Sequence, residues 1–216
     1  MKWKIRCIKR LLLIVISHIT EILVMKKIIL VPAVMCFAAL VHAQVRFGVK
    51  AGYNLSTLVY SGTFSLEGEK PKSGFNAGIF AVIPFSESFS LVPELIYSSQ
   101  GTNVQNSYGN GHLDYDYINI PVLLRYKIPM GIYFETGLQT SILLSANEKS
   151  NGNTMDIMYR TYSTDFAWPI GLGYQIPDLH IGIDLRYNLG LIDIQKSSSD
   201  ENVKNSVFQF GIFYLF

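Results

Sequence analysis

From Arg46 to Ser56 the chain alternates without a break: Phe47, Val49, Ala51, Tyr53 and Leu55 occupy one face of an extended strand, and Gly48, Lys50, Gly52, Asn54 and Ser56 the other. Successive side chains of a strand point to opposite sides, so this period of two predicts a strand that separates an apolar environment from a polar one. The pattern recurs at residues 118–128, 132–144, 162–176 and 180–189, and in the closing FQFGIFYLF at 208–216. It is less regular at 74–83 and 89–100, where Phe80, Val82, Val92 and Ile96 fall on the nominally polar face. Those four predict that part of that face is packed with apolar side chains. The whole pattern predicts eight strands.

The links alternate in length. Residues 84–88, 129–131 and 177–178 are short, whereas 57–73, 101–115, 145–161 and 191–203 are long and rich in Ser, Asn, Gly and charge. Short turns at one end and long loops at the other are the plan of a transmembrane barrel. Strands of about 10 to 15 residues fit the roughly 9 to 11 that cross a bilayer at a tilt, with some extension beyond it. The expected fold is all-β: an eight-stranded, antiparallel, up-and-down transmembrane β-barrel, preceded by a cleavable signal peptide. Eight strands leave room only for side chains inside, which argues against a conducting pore. Pro93, Pro121 and Pro169 each remove a ladder donor within a strand and predict bulges or gaps there.

Aromatic residues make up 13% of the chain and fall in two groups on the apolar faces. Tyr53, Phe75, Tyr97, Tyr162, Phe166 and Trp168 sit toward the loop ends, and Phe47, Phe89, Phe134, Tyr174, Tyr214 and Phe216 toward the turn ends. Two such belts are what the two interfaces of a bilayer require. The terminal strand, with Phe208, Phe210, Ile212, Tyr214 and Phe216 on one face, has the form of the signal read by outer-membrane barrel-assembly machinery.

Three segments follow from composition. Met25 opens a secretory leader, with Lys26 and Lys27, an apolar run over 28–41, and Val41-His42-Ala43 before Gln44. Residues 25–43 are read as the signal peptide, 1–24 as an over-extended start or leader extension, and 44–216 as the barrel. Of the 18 Lys and Arg, seven precede residue 44, and of the 16 Asp and Glu only Glu21 does; this leaves 11 basic and 15 acidic residues and a net charge of −4. The +2 of the whole chain therefore gives no support to nucleic-acid binding. Cys7 and Cys36 both precede residue 44, so the exported chain has no thiol.

The polar face collects Lys50, Glu94, Arg125, Lys127, Glu135, Asp165, Asp184 and Arg186, four of each sign. Buried charges are tolerated when paired, so these predict a structural interior network. The three-residue link Pro129-Met130-Gly131 sets a register that puts Arg125 opposite Glu135, both inward. Catalysis has little to draw on. His112 belongs to a Gly-rich loop and reads as solvated, and His180 begins an inward-facing strand where a hydrogen bond to a neighbour such as Gln175 is expected. No His/Cys cluster has metal-ligand spacing, and the glycines near Gly171 lead to no helix, so no catalytic residue, metal site or cofactor is expected.

GVKAGYNLS at 48–56, VPELIYSSQG at 92–101, DYINIPVLLRYKI at 116–128 and IGIDLRYNLGLIDI at 181–194, with the aromatic terminus, resemble the PorT-like outer-membrane β-barrel proteins of the Bacteroidota. The Asn119-Ile120-Pro121 strand is the most specific of these. The resemblance implies location and architecture; the member that names the family is implicated in exporting proteases by the type IX pathway, but the motifs carry no catalytic or binding residues. The expected protein is a monomeric, non-enzymatic outer-membrane barrel with periplasmic termini, acting as a structural, surface-interaction or secretion-accessory component. Its expected partners are outer-membrane lipid and lipopolysaccharide, the assembly machinery, and an unidentified surface or periplasmic protein. The alternatives are a lipid-modifying enzyme of the same fold, with Ser and His meeting at the outer rim, or a narrow pore.

Overall fold

A strand in hydrocarbon has no water to satisfy its backbone, so every N–H and C=O must find a partner on a neighbouring strand. The computed structural model describes residues 45–61, 69–106, 109–150, 152–196 and 202–216; the leader and its extension lie outside the described residues. The strands are β1 (Arg46–Ser61), β2 (Glu69–Pro84), β3 (Phe89–Asn106), β4 (Gly109–Lys127), β5 (Ile132–Ser150), the short β6 (Asn153–Asp156), β7 (Thr164–Gln175), β8 (Ile181–Gly190) and β9 (Asn202–Leu215). All but β6 pair antiparallel in the order β1-β2-β3-β4-β5-β7-β8-β9, and β9 returns to β1. The result is a closed eight-stranded barrel, with β6 laid only on the far end of β5.

Following one row of inward-facing partners around the wall fixes the barrel's shape. From Arg46 the row passes Val82, Val92, Leu123, Gly137, Pro169, Asn188 and Val207 and re-enters β1 at Ser56, ten residues on. A shear of that size on eight strands sets a tilt of roughly 40–45° and a lumen that side chains fill.

The two faces separate as expected for a membrane. Phe47 is 63% exposed, Ile212 57% and Trp168 47%, whereas Lys50 is 8% and Asp184 4% exposed. Apolar side chains radiate outward and ionised ones turn to the axis. Phe80, Val82, Val92 and Ile96 are buried inside, as their positions required.

The segments expected to be long loops are largely strand. The β1–β9, β3–β4 and β4–β5 ladders run on through Ser61, Asn106 and Ser150, well past the apolar belt. There the faces exchange character: Tyr115 and Tyr117 are buried on the inside of β4, and Asp114 and Asp116 lie on the other side. The prolines interrupt the ladder without shifting it. Pairing skips from Phe80↔Glu94 to Ile83↔Leu91 at Pro93, from Pro93↔Val122 to Ile96↔Asn119 at Pro121, and from Thr136↔Ile170 to Gln139↔Ala167 at Pro169. The register shifts lie elsewhere, between Pro71 and Asn76 and between Asp116 and Tyr117.

Inward glycines make room for the large residues of the interior. A Cβ on Gly173 would lie 2.2 Å from the Tyr133 ring, one on Gly182 2.2 Å from Phe213, and one on Gly48 2.4 Å from Phe80. Gly173→Val should therefore destabilise the barrel by about 1–3 kcal/mol, as overpacking does. Urea unfolding in lipid vesicles, followed by Trp168 fluorescence, measures this. Tyr133→Ala in the same chain vacates the seat and should recover part of the loss.

Candidate functional site

On β1 and β5 the inward residues pass, from turn end to loop end, from ionised to amide or hydroxyl to apolar, with a further apolar residue ahead of these on β5. On β5 the residues are Tyr133, Glu135, Gln139 and Ser141, and Leu143; on β1 they begin with Lys50 and pass Asn54 and Ser56 to Leu58. Stacked around the barrel, these give four layers. Phe80, Val82, Val92, Leu123, Tyr133, Phe213 and Leu215 seal the turn end. Leu58, Tyr115, Tyr117, Leu143, Ala146, Ile157, Ile194 and Val203 seal the loop end.

Six of the eight inward charges form one chain of alternating sign. Asp184 Oδ2 lies 2.9 Å from Lys50 Nζ, which lies 3.7 Å from Glu94 Oε1. Glu94 accepts two hydrogen bonds from Arg186, at 2.7 and 2.9 Å. Arg186 also donates to Glu135 Oε1 at 2.5 Å, and Glu135 Oε2 accepts from Arg125 Nη2 at 3.1 Å. The Arg125 guanidinium ends the chain 4.0 Å over the Tyr133 ring. Arg125 and Glu135 are direct cross-strand partners, the register set by the three-residue turn. Arg186 on β8 and Glu94 on β3 stand four strands apart on the ring of eight, so this two-pronged pair crosses the lumen at its full width.

Lys127 and Asp165 do not join this chain. Lys127 stands at the turn-end rim and donates to Gln175 Oε1 at 3.4 Å. Asp165 sits in the amide and hydroxyl layer, buried and without an ion-pair partner among the described residues. Sequence gives the face of a residue but not its height along the axis, and both departures are of height. The amide layer was not anticipated. Asn54 donates to Ser98 Oγ at 2.9 Å and to Ser99 O, accepts from Asn76 at 2.6 Å and Gln209 at 3.1 Å, and Asn205 donates to Gln100 Oε1.

The histidines are placed differently from expectation. His112 is on β4, not in a loop, paired across the ladder with Asn103 and Lys149, and its Nε2 lies 3.8 Å from Asp114. His180 does not bond Gln175; its ring packs edge-on against Tyr214 at 6.0 Å, at the turn end. Neither arrangement supplies a nucleophile and base. Among the described residues no group of three or more His, Cys, Asp or Glu is placed to hold a metal ion.

Beyond Ile118, the last lipid-facing residue of β4, Asp114 forms ion pairs with Lys72 at 2.6 Å and Lys149 at 2.8 Å. Partial burial opposes its charge, but the two ammonium groups outweigh this and hold its carboxyl below the usual carboxylate range. The Lys149 ammonium is correspondingly held above its ordinary range by its bond to Asp114.

These features are those of a membrane barrel, and comparison agrees. Residues 39–196 match the family described as outer membrane protein beta-barrel domain. The chain belongs to this family. It is an outer-membrane β-barrel protein. Among solved structures it is similar to Neisserial surface protein A, NspA, at 15% identity, covering 79% of this chain and 97% of that one with a TM-score of 0.52. It is also similar to Ail, the attachment invasion locus protein of Yersinia pestis, at 21% identity, covering 79% and 98% with a TM-score of 0.49. The likeness to NspA is one of fold. Comparison with curated proteins finds no match.

Arg186→Met should destabilise the barrel by about 3–5 kcal/mol, because Glu94 and Glu135 are left buried without their common partner. Glu94→Gln added to it should lose less than the two single changes summed, and a urea double-mutant cycle reads this coupling. At the loop end, a carboxyl held low in the fold stabilises it above the unfolded value near 3.8, and that contribution is lost as pH falls through the lower folded value. Hydrogen exchange at the tips of β4 and β5 should therefore quicken as pH drops below about 4. Asp114→Asn should be fast at both neutral and acid pH.

Proposed function

We propose that this protein is a closed, non-enzymatic outer-membrane barrel that works as a structural or surface-interaction component, with the loop end outside the cell and both termini in the periplasm. The observation that carries this reading is the lumen, where an apolar cluster near each end and the Arg186–Glu94 pair across its width fill the interior with side chains. What remains available to partners is the wall and the loop end. The loop end is built to present a fixed surface, since Ile157 N donates to Ala146 O, Tyr162 N to Ile194 O and Lys196 N to Arg160 O, tying two connections together above the barrel. On it Met155 and Tyr159 stand exposed.

The remaining assignments belong to the same reading. Residues 25–43 act as the export signal, the lipid-facing wall contacts outer-membrane lipid and lipopolysaccharide, and the strand bearing Phe208, Phe210, Ile212, Tyr214 and Phe216 is handed to the barrel-assembly machinery. The motifs at 48–56 and 116–128 support a PorT-like member of the Bacteroidota, and a secretion-accessory role is one form the surface-interaction reading takes. The name of NspA, a surface protein, is consistent with display at the cell surface.

Both halves are testable. The purified barrel in a planar bilayer should show no single-channel steps, and regular conductance steps would replace this reading with a pore. Because both cysteines precede residue 44, single cysteines can be introduced cleanly. On intact cells a membrane-impermeant maleimide should label Tyr159→Cys and spare Met130→Cys at the turn end; the reverse pattern inverts the orientation.

A further inference from the structure

We infer that the outer wall of the barrel holds a phosphate group of outer-leaflet lipopolysaccharide between Arg160 and Lys196, beside the Tyr162 ring. This rests on the reading that places the loop end outside the cell. Arg160 and Lys196 face each other next to the Thr161–Gln195 bridge, where Lys196 N donates to Arg160 O at 2.8 Å. Thr161 is 2% exposed, whereas Arg160, Tyr162 and Lys196 are all exposed, so these three share the outer face of the bridge. The Lys196 ammonium lies 5.8 Å over the Tyr162 ring.

Like charges set directly opposite each other across paired strands oppose folding. Elsewhere at this end of the barrel positive charge is met within the chain, since Lys72 and Lys149 both pair with Asp114. Arg160 and Lys196 have no ion-pair partner among the described residues. The nearby carboxylates are committed to the backbone: Asp156 Oδ1 accepts from Met158 N at 2.8 Å, and Asp193 Oδ1 from Gln195 N at 2.9 Å and Val203 N at 3.1 Å. Glu148 shares the surroundings of Tyr115 with Arg160 and forms no ion pair with it. A phosphate carries enough charge to neutralise both cations and can accept from a guanidinium and an ammonium at once.

Height along the wall selects the source of that phosphate. Tyr162 continues the lipid-facing parity of β7, two steps beyond Phe166 and three beyond Trp168, both exposed. Each step of two residues on a strand tilted by 40–45° rises roughly 5 Å. The bridge therefore stands just above the outer aromatic belt, at the level of lipid headgroups. Leu191, 45% exposed, is fastened below it by the bond from its N–H to Phe166 O. Cations above an apolar and aromatic wall suit a glycolipid whose acyl chains run down the barrel. The frame is also fixed, because Tyr162 N donates to Ile194 O and Ile157 N to Ala146 O, so little freedom is lost on binding.

The test is retention of lipid A, the phosphorylated anchor of lipopolysaccharide, by the refolded barrel in detergent, counted by native mass spectrometry. The unaltered chain should retain the phosphorylated form and release a dephosphorylated one. Lys196→Gln and Arg160→Gln, each checked for folding by its heat-dependent mobility on SDS gels, should weaken retention about tenfold. Lys149→Gln removes the same charge where Asp114 already meets it, and should leave retention unchanged. Should Arg160→Gln not fold, the contrast between Lys196→Gln and Lys149→Gln decides alone. Equal retention of the dephosphorylated form, an equal loss in Lys149→Gln and Lys196→Gln, or full displacement by inorganic phosphate, which would mark a site for the free ion, would each overturn the inference. If retention fails while Tyr159→Cys is still labelled on intact cells, this inference falls and the orientation stands; an unlabelled Tyr159→Cys removes both.

Discussion

Closure of the sheet is the constraint from which the other features follow. Hydrocarbon offers no hydrogen bond, so an open edge within the membrane would leave a row of backbone groups unmet. The pairing of β9 with β1 removes that edge, and Phe216 N and Leu215 N donate to Phe47 O and His180 O at the last two residues. With eight strands and a shear of ten, closure leaves a lumen too narrow for bulk water. That space must be filled with side chains, and the inward glycines and the rings of Phe80, Tyr133 and Phe213 are two halves of one packing solution.

The ionic chain adds a kind of information that apolar packing cannot. A slip of one residue between strands would turn every side chain to the wrong face, and the apolar pattern alone forbids it. A slip of two keeps every face and would be tolerated by hydrophobicity. It would, however, separate Arg125 from Glu135 and draw Lys50 away from Asp184. Buried ion pairs are weak contributors to stability and costly when broken, a combination suited to selecting one register among several greasy alternatives. The bidentate pair across the diameter extends the selection to strands that do not touch.

What was legible in the sequence tracks the bilayer. Where hydrocarbon lies outside, Phe47 through Leu55 and Ile118 through Tyr126 alternate cleanly, and those strands, their turns and the Arg125–Glu135 register follow from the residues. The outer ends of the strands carry a loop-like pattern because the contrast reverses there. Above the membrane the outside is wet and the inside is dry, so Asp114 and Asp116 turn outward and Tyr115 and Tyr117 inward. A pattern whose sign flips within one strand cancels in any window that straddles the change. The charged residues were legible as a set and not as an arrangement: face follows from parity in the chain, but the height that separates Asp165 and Lys127 from the other six depends on the tilt and on bulges at Pro71–Asn76 and Asp116–Tyr117.

The reversal at Tyr117 also bears on what the loop end can do. Flexible connections lose conformational freedom when they engage a partner, and that loss weakens binding. Here the ladders of β3, β4 and β5 continue past the lipid, β6 extends them, and the bridge between Thr161 and Gln195 fastens the β5–β7 connection to the β8–β9 connection. The apolar core under that fastening, from Leu58 to Ile194, is the same cluster that seals the lumen. One group of side chains thus both closes the barrel and stiffens the surface above it. A sequence change that opened the lumen would loosen the surface as well.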